Sequence, residues 1–209
     1  MVIRALQMQT SLMTFPQSGY HALIFDLDGT VVNSMPAHFE AWCRALAENG
    51  APSVFPEEVF YAMGGLPTRD IVAVLNSEQG LDLDPDAISL AKRHHFLDCL
   101  DQVTLVDEVI DFARANAGKV PMAIASGGSR LVVERTLKAL EIADLFDEVL
   151  TADDVRHGKP APDIFLEAAE RLDVAPESCV VFEDAPAGIE AARSAGMEVV
   201  LVPTQLHST

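Results

Sequence analysis

The sequence predicts a doubly wound α/β domain with a mostly parallel sheet and a helical insertion. From Tyr20 onward, short apolar runs alternate with longer amphipathic segments, which is the pattern of strands joined by helical crossovers. The apolar runs lack polar alternation, as strands covered on both faces do. Between the first and second runs lies a block with helical periodicity, too long for an ordinary crossover.

In chain order, residues 1–19 read as an N-terminal extension. Gln7, Gln9, Thr10 and Ser11 interrupt any apolar core, so a loose or locally docked segment is expected rather than a signal peptide. Strands are expected at 22–26, 121–125, 148–151, 179–183 and 199–202. Residues 129–141 fit a helix, with Val132, Val133, Leu137 and Leu140 on one stripe. Pro160 and Pro162 open a helix running to about Leu172, with Asp163 at its positive end, and Gly196 ends a helix over 187–195. The block from 36 to 102 carries Phe39, Trp42, Leu46, Ile71, Val74, Leu75, Leu90, Phe96 and Leu97 at spacings that suggest three or more helices and no strand. The expected division is a core of 20–35 and 103–209 and a helical cap of 36–102 over the sheet's carboxyl edge.

Composition removes several classes of function. Against 32 Asp and Glu stand 14 Lys and Arg, for a net charge of −18. That sign argues against a nucleic-acid partner, whose phosphates a binding protein must neutralise. Cys43, Cys99 and Cys179 are odd in number and widely spaced, which suggests neither a disulfide framework nor a zinc site and fits a cytoplasmic location. No apolar run approaches the ~20 residues of a membrane span. The charge is compatible with a monomer.

The strongest chemical signal is Leu23-Ile24-Phe25-Asp26-Leu27-Asp28-Gly29-Thr30, an apolar strand that ends in two acids. Acids at i and i+2 of an extended chain face the same side, so Asp26 and Asp28 can address one ligand at the edge where open α/β sheets bind them. Their mutual repulsion calls for a hard cation. An EF-hand is excluded, because no helix precedes the acids and the later loop ligands are missing. A second apolar strand ends in Glu183-Asp184 before a helix, and the two pairs together make a carboxylate cluster suited to Mg²⁺. Ala125-Ser126-Gly127-Gly128-Ser129 places a hydroxyl and small residues before a helix, where backbone N–H groups favour an anion. Lys159 stands alone in an acidic stretch, just ahead of another helix.

The motifs DLDGT, ASGGS, GKPAPDIF and FEDAPAGIEAARSAGM, in this order, resemble the four signatures of the haloacid dehalogenase superfamily, in its β-phosphoglucomutase-like branch. The resemblance spans about Tyr20 to Pro203 and implies a Rossmann-like core with an inserted helical cap. AHFEAW and LVDEVIDF are similar to segments of its sugar-phosphatase members, which implies a small phosphorylated metabolite such as fructose 1-phosphate as substrate.

The resemblance also implies roles. Asp26 attacks phosphorus and carries a transient phosphoryl group, and Asp28 protonates the leaving alcohol and then activates water. Mg²⁺ is held by Asp26, the Asp28 main-chain carbonyl and Asp184, with Glu183 a further candidate ligand. Ser126 and Lys159 bind phosphoryl oxygens, with Gly127 in the same loop, and Thr30 orders the loop of the nucleophile. In the cap, His38 matches a histidine of the closed site, Arg69 and Lys92 are candidate substrate-facing cations, and the Gly64-Gly65 pair is a turn or a flexible point. Trp42, Phe39 and Phe96 read as cap core. A hexose phosphomutase is the alternative enzyme; where the mutase pattern carries a lysine, Ser129 stands here, followed by Arg130. The alternative of another class is a phospho-accepting signalling module, which the cap, Asp28 and the chain length oppose.

Overall fold

The computed structural model describes residues 13–64 and 66–203, so residues 1–12 of the expected extension, and Gly65, lie outside the described residues. The elements in chain order are β1 (Ala22–Phe25), β2 (Val32–Asn33), α1 (Met35–Glu48), α2 (Glu57–Ala62), α3 (Thr68–Gln79), α4 (Pro85–Asp98), β3 (Thr104–Leu105), α5 (Asp107–Asn116), β4 (Met122–Ala125), α6 (Arg130–Ala139), β5 (Glu148–Leu150), α7 (Asp163–Arg171), β6 (Cys179–Glu183), α8 (Pro186–Ser194) and β7 (Glu198–Leu201). Five strands form one parallel sheet in the order β5-β4-β1-β6-β7. All five expected strands are present, within a residue or so of their expected bounds.

Side-chain alternation along β1 sorts the core into two layers. Leu23 and Phe25 point to the layer shared with Val109 and Ile110 of α5 and Val133 and Leu137 of α6. Ala22 and Ile24 point to the layer of Phe165 and Ala168 of α7 and Ala191 and Ala192 of α8. Helices therefore cover both faces, which is why the strands are apolar throughout. Of the described residues before β1, Phe15 is docked on the core: it stacks on Phe112 with ring centroids 4.7 Å apart and lies 6.0 Å from Phe182.

Four helices, α1 to α4, fill the insertion between β1 and β4, with no strand among the described residues of 36–102. Trp42, Leu46, Phe55, Phe60, Ile71 and Leu75 form a core of their own there. Trp42 and Phe39 pack in this cluster, whereas Phe96, expected there, is buried against the core-domain cluster of Leu23 and Phe25, because the last turns of α4 face the core. The sequence pattern did not reveal β2 and β3, which pair antiparallel as Val32 with Leu105 and Asn33 with Thr104 where the chain leaves and re-enters the core. Two-residue strands carry no periodicity to read. Among the described residues no helix is long and apolar enough to cross a membrane.

At the far end of β5, the Asp154 carboxylate closes a capping box with Thr151, accepting its N–H and its hydroxyl at 2.8 Å each. It also accepts from Arg130 at 2.7 Å and from Arg171 at 3.3 Å, joining α6 and α7 to the strand end. Burial alone raises this carboxyl, but the Thr151 and Arg130 hydrogen bonds outweigh it and hold it at about 2. Its folded value lies below the unfolded ~3.9, so the stabilisation is complete above about pH 4 and is lost as pH falls through about 2. Asp154→Ala is expected to cost about 1–3 kcal/mol at pH 7. Denaturant melts should show the gap between wild type and variant closing as the pH is lowered from about 4 towards 2.

Candidate active site

The parallel register brings the ends of β1, β4 and β6 to one edge. Phe25 is paired with Phe182, and the Asp26 N–H donates to the Phe182 carbonyl at 3.0 Å, so Asp26 emerges beside Glu183. β1 is also where the strand order reverses, with β4 on one side and β6 on the other, and ligands of open α/β sheets bind at such a point. Oxygens of Asp26, Glu183 and Asp184 lie within 4.8 Å of one another, an all-oxygen group able to hold a hard metal ion.

Lys159 makes this proximity tolerable. Its ammonium, 7% exposed, donates to Asp26 Oδ1 at 2.5 Å and to Glu183 Oε1 at 2.8 Å. Burial alone pushes the lysine down, but the two carboxylates reverse this and drive it well above the ordinary lysine range, so it stays charged. The other oxygen of Glu183, a residue 1% exposed, accepts the Ala185 N–H at 2.7 Å at the start of α8. Asp184 accepts the Thr30 hydroxyl at 3.0 Å. Burial first, and then the negative charge of Glu183 beside it, raise Asp184 to about 7. Burial likewise raises Asp26 above its ordinary value, with Lys159 opposing the rise and Glu183 and Asp184 adding to it.

Asp28 faces a different neighbourhood. Its carboxylate turns away from the three acids and accepts the Ser34 hydroxyl at 2.6 Å, with His38 Nε2 at 3.0 Å. Burial raises it, yet His38, Ser34 and Lys92 together outweigh burial and hold it at about 2. Burial depresses His38, whose ring stacks on Phe96 at 3.9 Å, and Lys92 adds to the depression while Asp28 opposes it. Lys92 lies 5.5 Å from the centroid of the Trp42 ring; burial lowers it to about 8, against the pull of Asp28. Ser34 was missed in the sequence. It stands at the N-cap of α1, makes no side-chain cap hydrogen bond, and donates its hydroxyl to Asp28 instead.

Above these groups is a cavity of about 540 Å³ between the sheet edge and the helical insertion. Asp26, Asp28, Lys159 and Glu183 line its floor, Gly127 to Ser129 one wall, and His38, Lys92 and Arg69 the insertion side. Ser126 is buried just below, its Oγ accepting the Gly128 N–H at 3.0 Å. Arg69 is exposed at the mouth, where its guanidinium is ion-paired with Asp86. Arg130 does not line the cavity; Asp154 draws its guanidinium away, 2.7 Å distant. Gly64 also lines the cavity, and its neighbour Gly65 is outside the described residues.

A family model for haloacid dehalogenase-like hydrolases matches residues 20–196. The fructose-1-phosphate phosphatase YqaB of Escherichia coli (strain K12) is 40% identical over 185 residues, covering 87% of this chain and 95% of its own. A phosphorylated carbohydrates phosphatase of Thermotoga maritima is 35% identical over 183 residues, covering 85% and 82%. Among solved structures, CbbY from Rhodobacter sphaeroides in complex with phosphate superimposes with a TM-score of 0.80 at 26% identity, over 88% of this chain and 86% of its own.

Two glycines permit the close approach of the acids. A Cβ on Gly29, where φ is +94°, would fall 2.3 Å from Asp184 Oδ2, and one on Gly188 would fall 1.6 Å from Glu183 Oε1. Gly188→Ala is therefore expected to destabilise the fold by about 1–3 kcal/mol in chemical denaturation. Gly158→Ala, whose Cβ would meet nothing within 4 Å, should stay within about 0.5 kcal/mol of wild type.

Proposed function

The chain belongs to the haloacid dehalogenase-like hydrolases, and from that membership we propose that it is a Mg²⁺-dependent phosphatase, hydrolysing a small sugar or polyol phosphate through a phosphoryl group carried on Asp26. One observation carries the reading: on the floor of a single cavity Asp26 is grouped with Glu183 and Asp184 and held by Lys159, while Asp28, two residues on, is held by Ser34 and His38. Separate environments of this kind suit one carboxylate to the metal and the phosphoryl group and the other to moving a proton. The relatives that act on phosphorylated carbohydrates support the substrate class.

Asp26 is the nucleophile, its backbone fixed by the Phe182 carbonyl and one oxygen held by Lys159. Lys159 and the Ser126 hydroxyl, whose own proton is free to donate, receive the phosphoryl oxygens. Asp28 is ionised in the resting site. An incoming phosphate sets a like charge beside it and raises its affinity for a proton, which it takes from solvent, while His38 Nε2 at 3.0 Å holds the carboxyl in place. Asp28 then protonates the leaving alcohol and afterwards takes the proton of the attacking water. Asp26, Asp184 and the Asp28 main-chain carbonyl would hold Mg²⁺, which supplies the positive charge that lets an anionic nucleophile meet an anionic phosphate. Glu183, each of whose oxygens already accepts a hydrogen bond, serves to hold Lys159. Residues 36–102 act as a cap that keeps bulk water from the cavity.

Hydrolysis is preferred to phosphoryl exchange between sugar positions, because Ser129 stands where the mutase pattern carries a lysine and Asp154 draws the adjacent Arg130 away. The test is phosphate release with Mg²⁺ from fructose 1-phosphate, glucose 1-phosphate, 6-phosphogluconate and glycerol phosphate. EDTA and Asp26→Asn should each abolish it, and Asp28→Asn should lower kcat by about 10²–10⁴-fold. Full activity in folded, metal-replete Asp26→Asn would overturn the assignment. Glucose 1-phosphate converted to its 6-phosphate without phosphate release would identify a mutase, and a long-lived phospho-form without turnover a signalling module.

A further inference from the structure

The two edges of the sheet are finished differently. At one edge the Ser126 N–H donates to the Leu150 carbonyl, so Leu150 faces β4 and Val149 faces outward; the Val149 carbonyl then accepts the Arg130 guanidinium at 3.4 Å. A short strand closed by a charged side chain is a device that keeps an edge from pairing with another chain. At the other edge lies β7. The Val202 N–H donates to the Glu183 carbonyl at 2.9 Å, and alternate residues of a strand bond to the same side, so Glu198 and Val200 also face β6. Val199 and Leu201 therefore turn their N–H and C=O groups outward, where among the described residues no strand or side chain meets them.

An apolar flank runs along this open edge. Leu201 is 54% exposed, and with Pro186, Ile189, Glu190 and Arg193 of α8 it lines an open groove. Val199 packs on the same side of the sheet as α8, and Leu201 shares that side by strand alternation.

We propose that β7 pairs antiparallel with β7 of a second copy of this chain, about a two-fold axis through Val200, so that the two five-stranded sheets become one. In that register Val199 of each copy stands opposite Leu201 of the other, and each such pair exchanges two N–H···O bonds. Every outward group of the strand is then satisfied by its own counterpart. The side chains agree with the backbone. Both Val199–Leu201 pairs are apolar and lie on the α8 side, and Glu198 falls opposite Val202 rather than another acid. The α8 stripe beside the groove carries both signs, with Glu190 and Arg193 one turn apart, so an antiparallel copy sets unlike charges across the axis. It is this match of the edge to itself that selects a second copy as the occupant.

Sedimentation equilibrium of the full chain from about 1 to 200 µM tests the pairing, in about 0.15 M salt to screen the repulsion between two chains of −18. The mass should rise towards twice that of the chain. Leu201→Pro removes an outward N–H without breaking a bond to β6, and Leu201→Lys sets a charge on the seam; each should keep the mass of one chain throughout. Leu166→Lys, at an exposed leucine of α7, should associate as wild type does. The register has its own readout. Residues opposed on the axis form a non-hydrogen-bonded pair with Cα atoms about 4.5 Å apart, within disulfide range. Val200→Cys should therefore cross-link on mild oxidation, while Leu201→Cys and wild type, with its own Cys43, Cys99 and Cys179, should not. A wild type that stays monomeric at the highest concentration, a dimer that persists in both Leu201 variants, or a dimer in which Val200→Cys fails to cross-link overturns the inference. None of these outcomes depends on phosphate release, so the phosphatase reading stands or falls separately.

Discussion

The site depends on one buried ammonium group. Three carboxylates crowd the carboxyl edge of the sheet, and without a cation among them the edge would repel itself apart. Lys159, held in the loop ahead of α7, reaches between β1 and β6 and joins Asp26 to Glu183. A buried ion pair of this kind is weak evidence for net stability, because desolvation offsets much of the attraction. Its contribution here is to position: it fixes which oxygen of Asp26 is engaged and leaves the other for chemistry.

Around that ammonium, two kinds of neighbourhood are built from one sheet edge. Asp26 sits among like charges and buried surface, while Asp28, two residues on, is turned towards a hydroxyl and an imidazole from the first turn of α1. The helical insertion therefore supplies half of the second environment, and the core supplies all of the first. Backbone economy lets both exist: Gly29 and Gly188 have no side-chain atoms where the acids need to be, so Asp184 and Glu183 approach where any Cβ would collide.

Much of this was legible because strand ends are legible. An apolar run that stops at acids, a hydroxyl or a glycine marks both where a strand finishes and what it presents, so Asp26, Ser126, Glu183 and Asp184 could be placed at one edge from sequence alone. Lys159 was visible by isolation, but its partners were set by a loop whose path no periodicity encodes. The insertion was harder to read. The inner face of α4 is polar, since it lines a cavity, which blunts the amphipathic signal that normally shows which side is buried. Ser34 carries no signal of its own in the sequence, and Arg69 and Lys92 read alike as candidate substrate-facing cations. Which of them finds a carboxylate is a matter of tertiary placement.

The strand order has a consequence for assembly. β1 is central in the sheet and first in the chain, yet its neighbours begin at Met122 and Cys179. As the protein emerges from the ribosome, an apolar strand must wait through the whole helical insertion before either edge is covered, which is the slow, exposed phase of parallel-sheet folding. The insertion helices, by contrast, find their core among near neighbours in sequence. Asp26 meets Glu183 only when β6 docks, so the carboxylate cluster is completed more than 150 residues after its first member is made, and molecules that stall before that step are without it.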